Sequence, residues 1–497
     1  MNLILSGIKC NAFDCDFSKK SIITRPTMVI TQAIVLEWFL SRPCKFNTMK
    51  KQLFIPSIII ACILYSCSSE KSTNSSQHDS TANQTDSLSQ EIQKQEVLLP
   101  PPYDTKSVMH FSKAVEWPEG LKPLAPQGFS VSKFAGGLQN PRWIYALPNG
   151  DILVAETKKE EKGVVKLAAK VTGIAKTHNE NTVNLNRISL FRDTNNDGQP
   201  DKQTVFLENL NLPFGMLLLN NYFYVANTDA VWRFPYQTGQ TTITAKGERL
   251  VSLPAEGRHW TRSLIANPEG TKIYIGVGSY SNVAEKGIIH ETNRACILEM
   301  NPDGSNLHIY ADGLRNPVGM DWFPGTSTLW TAVNERDELG DELVPDYLTS
   351  VKPGGFYGWP YSYFGQNEDP RIKEEDKHPD LVKRAIVPDV PLGAHTASLG
   401  LVFYTKKEFP EKYHHGAFIG QHGSWNRSTF SGYQVAFVPF HGKNPGKAEP
   451  FLTGFIKDEN KKEVFGRPVG VITLTDGSLL VADDVGNTIW RVTYSNK

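Results

Sequence analysis

Short apolar runs separated by turn residues recur along most of the chain, and the turns fall between paired runs. The pattern of apolar strand, Asn/Glu/Asp-Gly or similar turn and second apolar strand appears six times. The copies are NPRWIYALPNGDILVAE (140–156), LPFGMLLLNNYFYVAN (212–227), RHWTRSLIANPEGTKIYIGVGS (258–279), NPVGMDWFPGTSTLWTAVNE (316–335), ASLGLVFYTKKEFPEKYHHGAFIGQHGSW (397–425) and RPVGVITLTDGSLLVADD (467–484). Asn149-Gly150, Glu269-Gly270 and Asp476-Gly477 are the expected short connections between antiparallel strands. Several copies continue into further strands, as in AVWRFPY (230–236), ACILEMNPDG (295–304), YQVAFVPF (433–440) and TIWRVTY (488–494). A repeated four-stranded unit cannot bury its faces alone, and radial stacking is the usual solution. The expectation is an all-β fold, a six-bladed β-propeller with four-stranded antiparallel blades. Two stacked β-sandwiches are the alternative; the repeat count and the absence of a second linker argue against them. In a propeller the loops of one rim converge, so residues distant in sequence meet in one site.

The amino-terminal region has a different pattern. Met49-Lys50-Lys51-Gln52 precedes an apolar stretch from Leu53 to Tyr65 and then Ser66-Cys67. Two lysines followed by a short apolar segment read as a secretory signal, too short and too interrupted to span a bilayer. Leu64-Tyr65-Ser66-Cys67 resembles a bacterial lipobox, in which Cys67 is acylated. Residues 1–48 are then an upstream extension from a mis-called start, 49–66 the signal, 67–99 a lipidated linker rich in Ser, Thr, Asn and Gln, and 100–497 the folded domain. The expected location is that of an exported lipoprotein, periplasmic or anchored to the outer membrane, touching membrane through its lipid only.

Composition narrows the classes further. The 497 residues carry 52 Lys+Arg and 52 Asp+Glu, with 39 Gly, 31 Pro and 6 Cys. Beyond residue 66 there remain 44 basic and 49 acidic residues, which speaks against nucleic acid as a partner. Only Cys67 and Cys296 survive there, so no intrachain disulfide is expected once Cys67 is acylated, and a large apolar core has to supply the stability. Asp193-Thr-Asn195-Asn-Asp197-Gly198 opens like an EF-hand loop, but Thr204 stands where the closing glutamate belongs, so a turn at a blade edge is expected. The charged stretch 158–176 reads as a solvated insertion.

Four segments depart from plain connectors: GRHWTRSL (257–264), GLRNPVGM (313–320), NERDELGDELVPDYLTSVKPGGFYGWPYSYFG (334–365) and GQHGSWNRSTFSGY (420–433). All four are dense in His, Arg, Asn, Trp and Tyr. Guanidinium forks fix carboxylates and aromatic faces stack on planar groups, which points to a flat, polyanionic ligand.

Through RNP-x-G, NERDELGDEL and GG-x-YGWP in that order, residues 125–495 resemble the glucose/sorbosone dehydrogenases, six-bladed propellers that use pyrroloquinoline quinone (PQQ) and calcium, and look most like the sorbosone branch. The resemblance implies that His259 is the general base, suited to it by an imidazole that is neutral near working pH. It implies that Arg315 and Asn316 contact the quinone carbonyl region, Arg315 stabilising the negative charge that develops there. Arg467 matches an arginine for the cofactor carboxylates. The family often has a second arginine two residues on, where this chain has Val469, so Arg142, His422 and Arg427 are candidates to share that task. Asp337 and Glu338 align with the loop whose backbone carbonyls hold calcium, although the family writes Gly-Pro there. Asp341 and Glu342 either belong to that motif or brace the loop.

The implied activity is oxidation of an aldose or sorbosone-like sugar at C1 to the lactone or acid, with electrons passed to a cytochrome or quinone. No G-x-G-x-x-G opens a helix after a strand, so nicotinamide chemistry has little support. Two rivals stand beside this reading, a calcium-dependent lactonase and a cofactor-free, membrane-tethered binding propeller.

Overall fold

The computed structural model describes residues 97–160 and 182–495. The extension 1–48, the signal 49–66, Cys67, nearly all of the linker and most of the 158–176 insertion lie outside the described residues.

Each of the six repeats becomes the first two strands of a four-stranded antiparallel sheet. In chain order the first strands are Pro141–Ala146, Met216–Leu219, Arg262–Ala266, Pro317–Trp322, Ser398–Phe403 and Pro468–Thr473. The sixth sheet takes its outermost strand from the other end of the chain. Phe129–Ala135 pairs antiparallel with Thr488–Tyr494, so residues about 350 positions apart share one ladder.

Burial explains why the repeats read as near-continuous apolar runs. The second strands Ile152–Glu156, Ile273–Val277, Leu329–Val333, Ala417–Gln421 and Leu479–Asp483 are buried at every position. Successive side chains of a strand point to opposite faces, and here each face meets a different neighbouring sheet. Leu153 and Ala155 join a cluster with Met216 and Phe223 of the second sheet, whereas Ile152 and Val154 join one with Leu480 and Ile489 of the sixth. A comparable cluster lies between every two sheets that follow each other in the chain. Burying a large aliphatic or aromatic side chain is worth about 1.5–3 kcal/mol, so these inter-sheet clusters supply the stability of the described residues, whose one cysteine, Cys296, is a free thiol.

The first strands also pack on one another in chain order, the sixth returning to the first. Close approach is possible because glycine occupies the crossing points. A methyl on Gly319 would press on Leu399 O and Leu401 N of the fifth sheet, and one on Gly470 would meet Arg142 O of the first. At the centre, Phe214, Val318, Leu399 and Val469 form a small apolar cluster with Trp143 and Trp260, one residue from the first strand, or the approach to it, of each sheet.

Outside the repeats, Asp193–Gly198 is a turn joining Arg187–Arg192 to Lys202–Leu207. Its carboxylate and amide oxygens are used locally, Asp193 accepting the Gly198 N–H at 2.7 Å. Cys296 is a buried free thiol.

Candidate active site

In an antiparallel pair the start of the first strand lies beside the end of the second. Residues at those two places therefore lie together within each sheet, and hydrogen bonds and ring contacts join them from one sheet to another. Arg142, His259, Arg315, Asn316 and Arg467 all occupy the first kind of position, and Ser279, Asn282, Glu335, Asp337, His422 and Asp484 the second.

His259 is oriented by its backbone neighbours. Its Nδ1 lies 2.9 Å from Ser279 O and 3.1 Å from Ser279 Oγ. A carbonyl only accepts, so Nδ1 carries the proton and Nε2 keeps its lone pair. Burial, and then the charge of Arg315, push the imidazole well below its ordinary range. It is neutral at pH 7. Ser279 joins it to Arg315, because the Ser279 N–H donates to Arg315 O at 2.8 Å. Gly278 is required here: a Cβ would collide with the Asn316 amide oxygen and with His259 Cβ.

Arg315 is buried, with its fork held almost completely. Nε donates to Asn282 O at 3.2 Å, Nη2 to Asn282 Oδ1 at 2.8 Å, and Nη1 to Glu335 O at 2.5 Å and Asn334 O at 3.3 Å. Asp337 Oδ2 stands 3.7 Å from Nη2. Burial opposes ionisation of Asp337, but the His395 hydrogen bond and the Arg315 charge hold its carboxyl below the usual range. The side-chain oxygen of Asn316 is buried with no hydrogen-bond partner.

A second cluster is centred on Asp484, which sequence reasoning missed. Its carboxylate accepts from Arg142 Nη1 at 2.5 Å and from His422 Nε2 at 2.9 Å. Burial, and then Arg467, lower the His422 imidazole to about 4. The His422 carbonyl in turn accepts from Arg467 Nε at 2.7 Å, and Gly423 O from Arg467 Nη2 at 2.7 Å. The guanidinium of Arg467 lies over the Tyr433 ring and that of Arg142 over the Trp260 ring, next in sequence to His259. Arg142 Nε is buried without a partner. Arg467 is braced from behind: Asp483 Oδ1 accepts its backbone N–H at 2.8 Å and Asp483 Oδ2 accepts Trp117 Nε1 at 2.9 Å. No local signal marks Trp117, Asn282 or Asp484; an Asp-Asp pair closing a buried strand is the nearest to one.

The Asp484 cluster gives a stability prediction. Asp484→Ala leaves a buried guanidinium without its carboxylate, which costs about 3–5 kcal/mol. Denaturant unfolding of the variant checks it, and a loss under about 1 kcal/mol would refute the cluster's structural weight.

Three anticipated residues lie elsewhere or are already engaged. Arg427 is not joined to the Arg142–Asp484–His422–Arg467 cluster: it donates to Asp341 O at 2.7 Å and pairs with Glu342, while Asp341 accepts from Ser428 N at 3.1 Å. Asp341 and Glu342 thus brace the loop. Glu338 is exposed at a positive φ of 75°, its N–H donating to Asn426 Oδ1 at 2.8 Å. The Asp337 carbonyl accepts Arg371 Nη1 at 2.7 Å and Asn282 Nδ2 at 3.1 Å, so both of its lone pairs are in use. The Asp337 carbonyl therefore does not fit a calcium ligand. Among the described residues no group of three or more His, Cys, Asp or Glu side chains is placed to hold a metal ion.

A family model described as TrAA12-like matches residues 123–354 and 364–495. An uncharacterised protein of Borreliella burgdorferi is 32% identical over 299 residues, 57% of this chain and 76% of that protein. The aldose sugar dehydrogenase YliI of Escherichia coli is 28% identical over 128 residues, 25% of this chain and 33% of that protein. Among solved structures, the holo form of the pyranose dehydrogenase PQQ domain from Coprinopsis cinerea is similar with a TM-score of 0.60 and 19% identity, over 77% of this chain and all of that one. At such identity the likeness is one of fold.

Proposed function

The chain belongs to the TrAA12-like family, and from that premise we propose that it is a PQQ-dependent dehydrogenase oxidising an aldose or a related sugar at C1, built as a closed six-bladed propeller. The cyclic succession of inter-sheet clusters supports the closed ring. One observation carries the activity. His259, neutral and with Nε2 as its unprotonated nitrogen, is tied through a single residue, Ser279, to a buried arginine.

The site's unpartnered buried atoms suit a planar polyanion. Arg142 Nε lacks an acceptor, and the Arg315 fork has one Nη2 hydrogen facing nothing nearer than Asp337 at 3.7 Å. The half-buried indole of Trp260, already under a guanidinium, adds a flat surface. PQQ, when bound, supplies the acceptor for hydride. The protein's share is proton removal and charge: His259 Nε2 takes the proton of the sugar's C1 hydroxyl, and Arg315 and Asn316 stabilise negative charge opposite it. Arg467 and Arg142 fix carboxylates at the rim. Electrons leave to a cytochrome or quinone. In the cell, we place the protein on a lipid at Cys67, in the periplasm or at the outer membrane, on the strength of the Lys-Lys, apolar, Leu-Tyr-Ser-Cys order.

The test is titration of purified apo-protein with PQQ, followed by calorimetry and by dye reduction on a panel of aldoses. Micromolar binding and sugar-dependent reduction are expected. Absence of any heat overturns the dehydrogenase reading in favour of the tethered binding propeller. Intact mass of the exported protein reports on Cys67, since an amino-terminal peptide from before that residue sinks the lipid anchor.

A further inference from the structure

The loop Glu335–Glu338 stands at the edge of the site beside Arg315, and two of its carbonyl oxygens, those of Glu335 and Asp337, accept from cationic donors of the protein. Arg371 reaches it from outside the six repeats. Its Nη1 donates to Asp337 O at 2.7 Å, while Nε and Nη2 grip Asp369 at 2.9 and 2.7 Å. Asp369 is buried and is itself held by Arg336 Nη1 at 3.0 Å. Three bonds therefore fix the Arg371 guanidinium, and it cannot swing off the carbonyl without leaving a buried carboxylate short of a partner. The remaining lone pair of Asp337 O receives Asn282 Nδ2 at 3.1 Å, and the neighbouring Glu335 O receives Arg315 Nη1 at 2.5 Å. On its other side the Asp337 carboxylate faces His395 Nδ1 at 3.1 Å, whose Nε2 lies 2.8 Å from Gly340 O.

A calcium ion needs six to eight oxygens at roughly 2.3–2.6 Å. At this loop it would have to displace Asn282 Nδ2 from the Asp337 carbonyl and then sit roughly 4–5 Å from a fixed guanidinium, a separation that follows from ordinary ligand and hydrogen-bond lengths. Like charge and occupied lone pairs both oppose it.

We infer that Arg371 is a built-in cation for this loop, doing for the Asp337 carbonyl what a divalent ion would otherwise do, so that the site binds its quinone without calcium at that carbonyl. Arg371 is a positioning residue. It holds Asp337, which faces Arg315, and so fixes the charge of the site through a neighbour. This rests on the proposed PQQ activity for its ligand, but the loop's indifference to calcium is a property of the apo-protein as well.

Calorimetric affinity for PQQ is measured on the wild-type protein in 1 mM CaCl2 and in EDTA, and on Arg371→Ala in the same two buffers. Wild-type affinity should agree within twofold between buffers. Arg371→Ala should bind at least tenfold more weakly in EDTA and recover most of that loss in calcium, because removal of the guanidinium frees the carbonyl for the ion. Tightening of the wild-type protein by tenfold or more with calcium overturns the inference, and this arm needs no variant. A second arm follows melting of both apo-proteins with and without calcium. Calcium held elsewhere in the chain shifts both alike, so a larger shift in Arg371→Ala supports the inference and equal shifts overturn it. If the wild-type protein binds no PQQ in either buffer, the dehydrogenase reading fails while the melting arm still decides the role of Arg371.

Discussion

His259→Ala should lose about 10²- to 10⁴-fold in turnover while still binding PQQ, the range expected when a positioned general base is removed. The orientation of the imidazole is set by Ser279 O, which accepts from Nδ1 at 2.9 Å and leaves Nε2 as the basic nitrogen. The pH dependence follows from the direction of its shift. Burial and Arg315 lower the folded-state pKa well below the ordinary 6.5, so the neutral, active form persists down to more acid pH than a free histidine allows. The limb of kcat/KM belonging to His259 then falls as pH drops through that lowered pKa, well under 6.5, and activity governed by this group is flat from pH 6.5 upward. A profile with its acid midpoint at or above 6.5, or an alanine variant turning over at the wild-type rate, removes His259 from the role.

Replacement of Arg315 by Met should affect both binding and chemistry. A charged hydrogen bond is worth about 1.5–3 kcal/mol, so PQQ affinity should weaken about 10- to 150-fold. Turnover at saturating cofactor should fall by about a further 10²- to 10³-fold, the range for losing a preorganised donor where charge develops. Arg315→Lys should not restore it. The guanidinium spans Asn282, Asn334 and Glu335 at once, and a single ammonium on a flexible stem cannot meet that spread of acceptors. Steady-state kinetics at saturating PQQ, with far-UV circular dichroism as the check on folding, separate the two effects. A folded Met variant that keeps wild-type turnover once cofactor is saturating would leave Arg315 a structural brace only.

Much of the architecture was legible because the repeats announce themselves twice, by turn residues and by apolar runs. Asn149-Gly150 and Asp476-Gly477 do connect the first and second strands of their sheets. The outer strands were harder to see. Glu248–Ser252 has no fully buried residue, so its polar sequence carries no strand signature, and Phe129–Ala135 gives no hint that its partner is Thr488–Tyr494.

The sequence by itself determined the local units: which residues pair as hairpins, where glycine must stand, and which segments before and after the strands carry His, Arg, Asn and Trp. These depend on period, turn chemistry and residue type, all of which act over a few positions. Only the tertiary structure decided which of the candidate arginines share a site. Arg142 and Arg427 are the same residue type, yet one meets Asp484 and the other Glu342. It also decided that Trp117 and Asn282 support Arg467 and Arg315, and that Arg371 sits on the carbonyl where a metal ion was anticipated. Such pairings are set by the order in which sheets meet one another, and a buried charge takes whichever partner that order brings within hydrogen-bond reach.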